Sequence, residues 1–316
     1  MTDASTEDRQ PDGERPSPAL RVRGLTKTYG DRRVVDDVSF ELARGEVFGF
    51  LGPNGSGKTT TMRMALDLIK PDSGTVSILG SGPTRQALRR VGYLPEERGL
   101  FQRARVRDVL RYMGRLKGLS ASTAEDRASE MMSRVGLAEH LGAKVQGVSR
   151  GMTQLAQFAG ALLHRPELII LDEPFGGLDP LNVVLMKEIV REEQARGAAV
   201  IFSTHIMSDV EELCERAVLI SDGRVLVYGP ILEMKQARAS RTITVVADRQ
   251  PDDIPGFARV QSSNGHHIYR SQDGAGADTV LRAFLDAGIA VQKFEVALPT
   301  LNEVFIEEVG RARNDS

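Results

Sequence analysis

The chain has 316 residues, 41% hydrophobic and 27% charged, the balance of a globular protein with room for about two domains. A formal net charge of −2, from 41 Lys and Arg against 43 Asp and Glu, excludes a strongly basic nucleic-acid binder and a strongly acidic solvating protein. The lone Cys214 excludes an intrachain disulfide, and no apolar run in the sequence approaches the roughly 20 residues of a membrane span.

Residues 1–18 hold Asp, Glu, Ser, Thr, Pro and Arg with almost nothing apolar. They predict a disordered lead-in, and their acids do not fit a secretory signal. Short β-rich runs follow at 20–23, 38–42 and 46–51. Met62, Ala65, Leu66 and Ile69 then recur at helical spacing, and Pro71 stops the pattern. The stretch 85–160 reads as mostly helical. Two continuous apolar runs, 168–171 and 198–202, suit central strands of a parallel sheet covered on both faces. Asp222-Gly223 between apolar runs predicts a hairpin. From about Arg241 alternation returns at 242–247, 266–270 and 291–296, with helical patterns at 278–287 and 301–309. That tail predicts a second, small α+β domain.

The chemistry begins at residues 52–59, G-P-N-G-S-G-K-T. This is G-x-x-x-x-G-K-[ST] after an apolar strand and at the start of a helix. Gly52, Pro53, Asn54, Gly55, Ser56 and Gly57 form a loop whose backbone N–H groups close around phosphate oxygens, with Thr60 just behind it. Lys58 is placed to reach the β- and γ-phosphates, and the Thr59 hydroxyl to ligate Mg²⁺. A second acidic site ends the apolar run at Asp172-Glu173. Asp172 suits a metal, and Glu173 suits the orientation or deprotonation of an attacking water.

Four further segments stand in order around these two: Tyr29 in L-T-K-T-Y-G, Ser149 and Gly151 in V-S-R-G-M, Asp179 in G-L-D-P, and His205 in F-S-T-H. With them, the chain resembles the nucleotide-binding subunit of an ATP-binding cassette (ABC) transporter over about residues 20–230. The resemblance implies that Tyr29 stacks on adenine, that Asp179 is the acid of the D-loop, and that His205 contacts the γ-phosphate. It also implies that Ser149 and Gly151 close over the γ-phosphate held by an opposite cassette. Arg150 and Met152 depart from that family's L-S-G-G-Q. Glu96, in Y-L-P-E-E-R-G-L, stands where the family has the Gln of its Q-loop, and a carboxylate there suits Mg²⁺ or the attacking water. These departures, with the appended tail, resemble the ATPase subunits of NatA-like sodium or drug exporters.

The resemblance implies an α/β P-loop NTPase with a mostly parallel core sheet, an antiparallel β subdomain and a helical subdomain at about 97–160. The cassette spans 19–235 and an accessory α+β domain spans 240–310. The expected function is ATP hydrolysis, with ATP and Mg²⁺, powering a separate multi-span permease. Glu173, His205 and Lys58 are the expected catalytic residues, and Thr59, Asp172 and Glu96 the expected metal ligands. A second, identical cassette is the expected partner, nucleic acid is not, and the place is the cytoplasmic face of the membrane. The alternative is a soluble ABC ATPase acting on ribosomes or nucleic acid. Such proteins usually carry two cassettes or a long coiled coil, and residues 59–149 leave no room for one. A P-loop GTPase is disfavoured because no N-K-x-D sequence occurs. Every nucleotide motif precedes Lys235, so a chain ending there is expected to fold and bind nucleotide.

Overall fold

The computed structural model describes residues 17–97, 99–237, 242–263, 265–271 and 276–314. The expected lead-in at 1–18 lies outside them except for Ser17 and Pro18. Two strands open the chain, β1 (Leu20–Tyr29) and β2 (Arg32–Leu42), followed by β3 (Val47–Leu51), α1 (Lys58–Ala65) and β4 (Ser73–Ile78). Then come α2 (Arg85–Leu88), β5 (Val91–Leu94), α3 (Val106–Leu116), α4 (Ala121–Arg134), α5 (Arg150–Leu162) and β6 (Leu168–Asp172). The cassette closes with α6 (Pro180–Ala195), β7 (Ala199–Thr204), α7 (Met207–Leu213), β8 (Arg216–Ser221), β9 (Arg224–Pro230) and α8 (Ile231–Gln236).

Six strands form one sheet in the order β5-β6-β7-β3-β8-β9. All neighbours are parallel except the β8–β9 hairpin. The apolar runs of β3, β6 and β7 are buried along their whole length, as a sheet covered on both faces requires. Strand alternation sends their side chains to two different cores. Val47 and Leu51 of β3 join Leu171 and Phe202 on the face covered by the helices. Phe48 and Phe50 join Ile170 and Ile201 on the other face, with Phe40 of β2 and Met62 of α1. There the antiparallel sheet β2-β1-β4 closes the layer, and Phe40 packs on Phe48 and Phe50 at 5.8 and 5.2 Å. Each such aromatic contributes about 1.5–3 kcal/mol by burial. Gly49 is required by packing: a Cβ there would lie 2.4 Å from Val210 Cγ1 of α7.

Three differences from the sequence reading matter. Strand β5 sits inside the stretch read as mostly helical, and β4 was not anticipated. Helix α1 ends at Ala65 rather than running to Ile69, because Asp67 turns into the left-handed region at φ 60°. Among the described residues, no helix is long and apolar enough to cross a membrane.

Beyond the cassette lie β10 (Thr242–Ala247), β11 (Phe257–Ser263), β12 (His266–Ser271), α9 (Ala277–Asp286), β13 (Val291–Ala297) and α10 (Leu301–Asn314). The strands form an antiparallel sheet in the order β11-β12-β10-β13, in which β11 is a further strand the alternation did not reveal. Val280 and Phe284 of α9 pack on Ile243, Val245 and Tyr269, a small separate core. Helix α10, read from sequence as part of this unit, fills another place. Leu301 and Val304 are fully buried in the helical-face core of the cassette.

Candidate functional site

The parallel strands bring the singled-out residues together at their C-terminal ends, where open α/β sheets bind ligands. Strand β3 leads into the 52–57 loop, β5 into Glu96, β6 into Asp172 and Glu173, and β7 into His205. Gly57 holds φ 100° at the start of α1, and a Cβ there would meet Val34 O at 2.5 Å. Only glycine fits that loop exit. No side chain caps α1, whereas Thr84, Ser120, Ser149 and Asp179 cap α2, α4, α5 and α6. The orphan N–H groups that every helix leaves in its first turn are thus free of side-chain caps at the phosphate loop.

Lys58 is buried, and its Nζ donates to Gly52 O at 2.7 Å and Pro53 O at 3.2 Å. It also lies 3.3 Å from Glu173 Oε1. On the other side of that carboxylate, His205 Nδ1 is 3.0 Å from Glu173 Oε2. Glu173 itself occupies the left-handed region, φ 47°, an uncommon conformation for a residue with a Cβ. Its N–H is held by Ser203 Oγ at 3.0 Å, and the same hydroxyl donates to Asp172 Oδ1. Ser203 thus fixes both acids. Sequence reading missed it; its only signal is a hydroxyl directly after the apolar run and two residues before His205.

Asp172 is 1% exposed. Burial raises its carboxyl pKa, the Ser203 and Thr59 hydroxyls oppose this, and the Glu96 and Glu173 charges add to the rise. Its Oδ2 is buried without a partner. The Thr59 hydroxyl donates to Glu96 Oε2 at 3.2 Å, so Glu96 does reach the phosphate loop. An orphaned carboxylate oxygen, a hydroxyl and a second carboxylate are hard donors that fit Mg²⁺, which takes one or two protein carboxylates beside phosphate and water. No cluster of three or more His, Cys, Asp or Glu capable of holding a metal exists among the described residues.

Other expected residues take separate stations. Asn54 lines a cleft of about 660 Å³ with Glu96, Glu173 and His205, and Val148, Arg150, Thr153 and Gln154 line it too. Ser149 accepts Met152 N–H at 3.2 Å as the cap of α5, and Gly151 is the second residue of that helix. Asp179 caps α6 through Asn182 N–H at 3.1 Å, and this hydrogen bond is the main cause of its lowered carboxyl pKa. Ser56 is buried with its hydroxyl unpartnered, Thr60 is half-buried on α1, and Pro53 and Gly55 are exposed on the loop. Tyr29 ends β1, half-exposed, with Lys27 Nζ 5.7 Å from its ring centroid.

Comparison with known proteins decides the family. A pattern described as ABC transporter matches residues 35–176. The uncharacterized ABC transporter ATP-binding protein YhaQ of Bacillus subtilis is 38% identical over 295 residues, covering 92% of this chain and 98% of that protein. This chain belongs to the ABC transporter ATP-binding proteins. It is an ATP-binding subunit of that family, whose cassettes hydrolyse ATP to power transport. The linearmycin resistance ATP-binding protein LnrL of Bacillus subtilis is 31% identical over 310 residues, covering 94% of this chain and all of that one (100%). A Nod factor export ATP-binding protein I from Burkholderia lata is 34% identical over 261 residues, covering 80% and 86%. A solved ATP-binding subunit of an ABC transporter superposes with TM-score 0.66 at 32% identity, over 70% of this chain and 93% of that one. Residues 229–309 match a second pattern, the C-terminal domain of DrrA1-3-like ATP-binding proteins. Nothing among these relatives supports action on ribosomes or nucleic acid.

Proposed function

We propose that this cassette binds Mg-ATP on the 52–60 loop and hydrolyses it with Glu173 as the base that activates water. The observation carrying the assignment is the Glu173 carboxylate held between Lys58 Nζ at 3.3 Å and His205 Nδ1 at 3.0 Å. Lys58 would exchange its two loop carbonyls for phosphate oxygens, a charge-assisted contact of greater strength. Glu173, its backbone pinned by Ser203, would orient the water for in-line attack and take its proton. His205 would hold the carboxylate in place and meet the γ-phosphate. Thr59, Asp172 and Glu96 would hold Mg²⁺, which neutralises charge on the β- and γ-oxygens. Tyr29 would stack on adenine.

A second cassette, in this reading an identical chain, would complete each site with Ser149, Gly151 and Asp179. Release of phosphate would remove contacts that hold the pair closed, and the closed-to-open change would drive a multi-span permease. Docked on that permease, the cassette would lie at the cytoplasmic face of the membrane. The relatives named for linearmycin resistance and Nod factor export favour a drug-like cargo for export over sodium. We divide the chain into a cassette of 19–235, to which α10 returns, and an accessory unit within 240–310. Size-exclusion chromatography of Glu173→Gln with Mg-ATP tests the paired state, and co-purification of the full chain from membranes tests the permease. A monomer in the first, or no integral membrane partner in the second, contradicts the corresponding part.

A further inference from the structure

Lys187, on α6, is buried at 6% exposure. Its Nζ lies 2.8 Å from Asp209 Oδ1 and 2.5 Å from Glu212 Oε2, both on α7. Asp209 is itself buried at 7%. The same ammonium sits 5.6 Å from the centroid of the Phe175 ring, and Phe175 packs edge-on against Phe202 of β7 at 5.6 Å. Arg191 braces Glu212 from the surface at 2.7 Å.

Each segment this charge touches continues from the site. Phe175 follows Glu173 by two residues, α6 starts at the Asp179 cap, and α7 starts two residues after His205. Apolar packing, such as Val210 against Gly49, sets how closely α7 approaches the sheet but is non-directional. A buried ion pair adds a donor geometry to satisfy, and its desolvation makes it a poor choice for stability alone. Misplacement of a reacting group by about 1 Å can cost about a hundredfold in rate, so fixing α7 has catalytic weight.

We propose that Lys187 is a positioning residue for ATP hydrolysis: clamped by Asp209 and Glu212 over Phe175, it sets where His205 stands against Glu173. The inference rests on the assignment of Glu173 and His205 to hydrolysis made above. Lys187→Met keeps the stem and removes the charge, Lys187→Arg restores it, and Asp209→Asn neutralises the partner in nearly the same shape.

The test measures Mg-ATP affinity and turnover of the full chain, at a temperature where circular dichroism shows each variant folded. Lys187→Met is expected to bind within about threefold of the unaltered chain and to lose about tenfold or more in turnover, with Lys187→Arg recovering part of it. Placed on His205→Ala, the same substitution is expected to lower the residual turnover by less than about twofold, because the ring it positions is gone. A merely structural role predicts a lower melting temperature with turnover per folded molecule unchanged, and that result overturns the proposal. Equal losses with and without His205 also overturn it. If Lys187→Met does not fold, Asp209→Asn decides by the same readouts. Glu173→Gln runs alongside: if it hydrolyses ATP normally, the underlying assignment fails and the inference with it. A dead Glu173→Gln beside a fully active Lys187→Met overturns the inference alone.

Discussion

Glu211 Oε1 accepts the backbone N–H of Leu301 at 2.9 Å and pairs with Lys235 Nζ at the same distance. One carboxylate of α7 therefore joins the helix that leaves the cassette and the helix that returns to it. The start of α10 is further fixed by a reciprocal cap, in which Glu303 accepts from Thr300 N–H at 2.7 Å and Thr300 Oγ1 accepts from Glu303 N–H at 3.2 Å. The accessory sheet thus hangs from the cassette by both ends, and both ends rest on the helix that follows His205.

A chain ending near Lys235 keeps every nucleotide motif but uncovers the sites of Leu301 and Val304. In the full chain, Leu301→Ala is expected to cost about 2–5 kcal/mol of cassette stability. Phe284→Ala is expected to act on the accessory core instead. Thermal melts with and without ATP distinguish them. ATP stabilises only the unit that binds it, so the transition that Leu301→Ala lowers must be the one that ATP raises.

Lys58→Ala is expected to weaken nucleotide binding itself. A hydrogen bond to a charged group contributes about 1.5–3 kcal/mol, which corresponds to roughly a ten- to hundredfold rise in Kd. Titration with a fluorescent ATP analogue measures it, and an unchanged Kd would place the ammonium away from the phosphates.

Glu96→Gln should retain most of the turnover, because the amide keeps an oxygen at the same reach. Lost negative charge beside Asp172 and Thr59 should raise the Mg²⁺ concentration needed for half-maximal activity. A Mg²⁺ titration at saturating ATP reads this directly, and an unshifted curve would leave Glu96 a loop acid with no part in the metal site.

His164 supplies a pH dependence. Its Nε2 meets Val91 O at 3.1 Å, and its Nδ1 is buried without a partner. Burial, then the nearby Lys117 ammonium, push its pKa from 6.5 to about 4. Below 6.5 the unfolded chain takes up a proton that the folded chain refuses. The stability this neutral ring contributes is complete above that pH and is lost as pH falls towards about 4. The loss is of order 3 kcal/mol. Denaturant midpoints at pH 8 and pH 5 for the unaltered chain and His164→Leu test it, the variant being expected to show the smaller decline.

Much of the site was legible because its chemistry is written in adjacent residues. The 52–59 loop, Asp172-Glu173 and His205 each follow an apolar run, and parallel strands carry such run ends to one edge. Glu96 was placed by another route, its position after Y-L-P where the family has a Gln, because β5 before it is only four residues long and lay hidden in a helical stretch. Ser203 left almost no signal, since a serine inside a strand reads as tolerated polarity until its neighbours are seen. Periodicity showed that 301–309 has an apolar face but not which core that face fills. Leu301 and Val304 answer to α7 and α8, far away in sequence, and only the folded chain brings them there. The ion pair of Lys187 with Asp209 was invisible for the same reason.

Glu173, held by Lys58 and His205, is the residue proposed to activate water for hydrolysis. Its most direct test is the steady-state ATPase rate of Glu173→Gln measured beside its Mg-ATP affinity. We expect affinity at least equal to that of the unaltered chain and turnover reduced by about 10²-fold or more, the scale of a lost general base. Turnover at the unaltered rate with the same affinity would contradict the assignment and move the base elsewhere in the cleft.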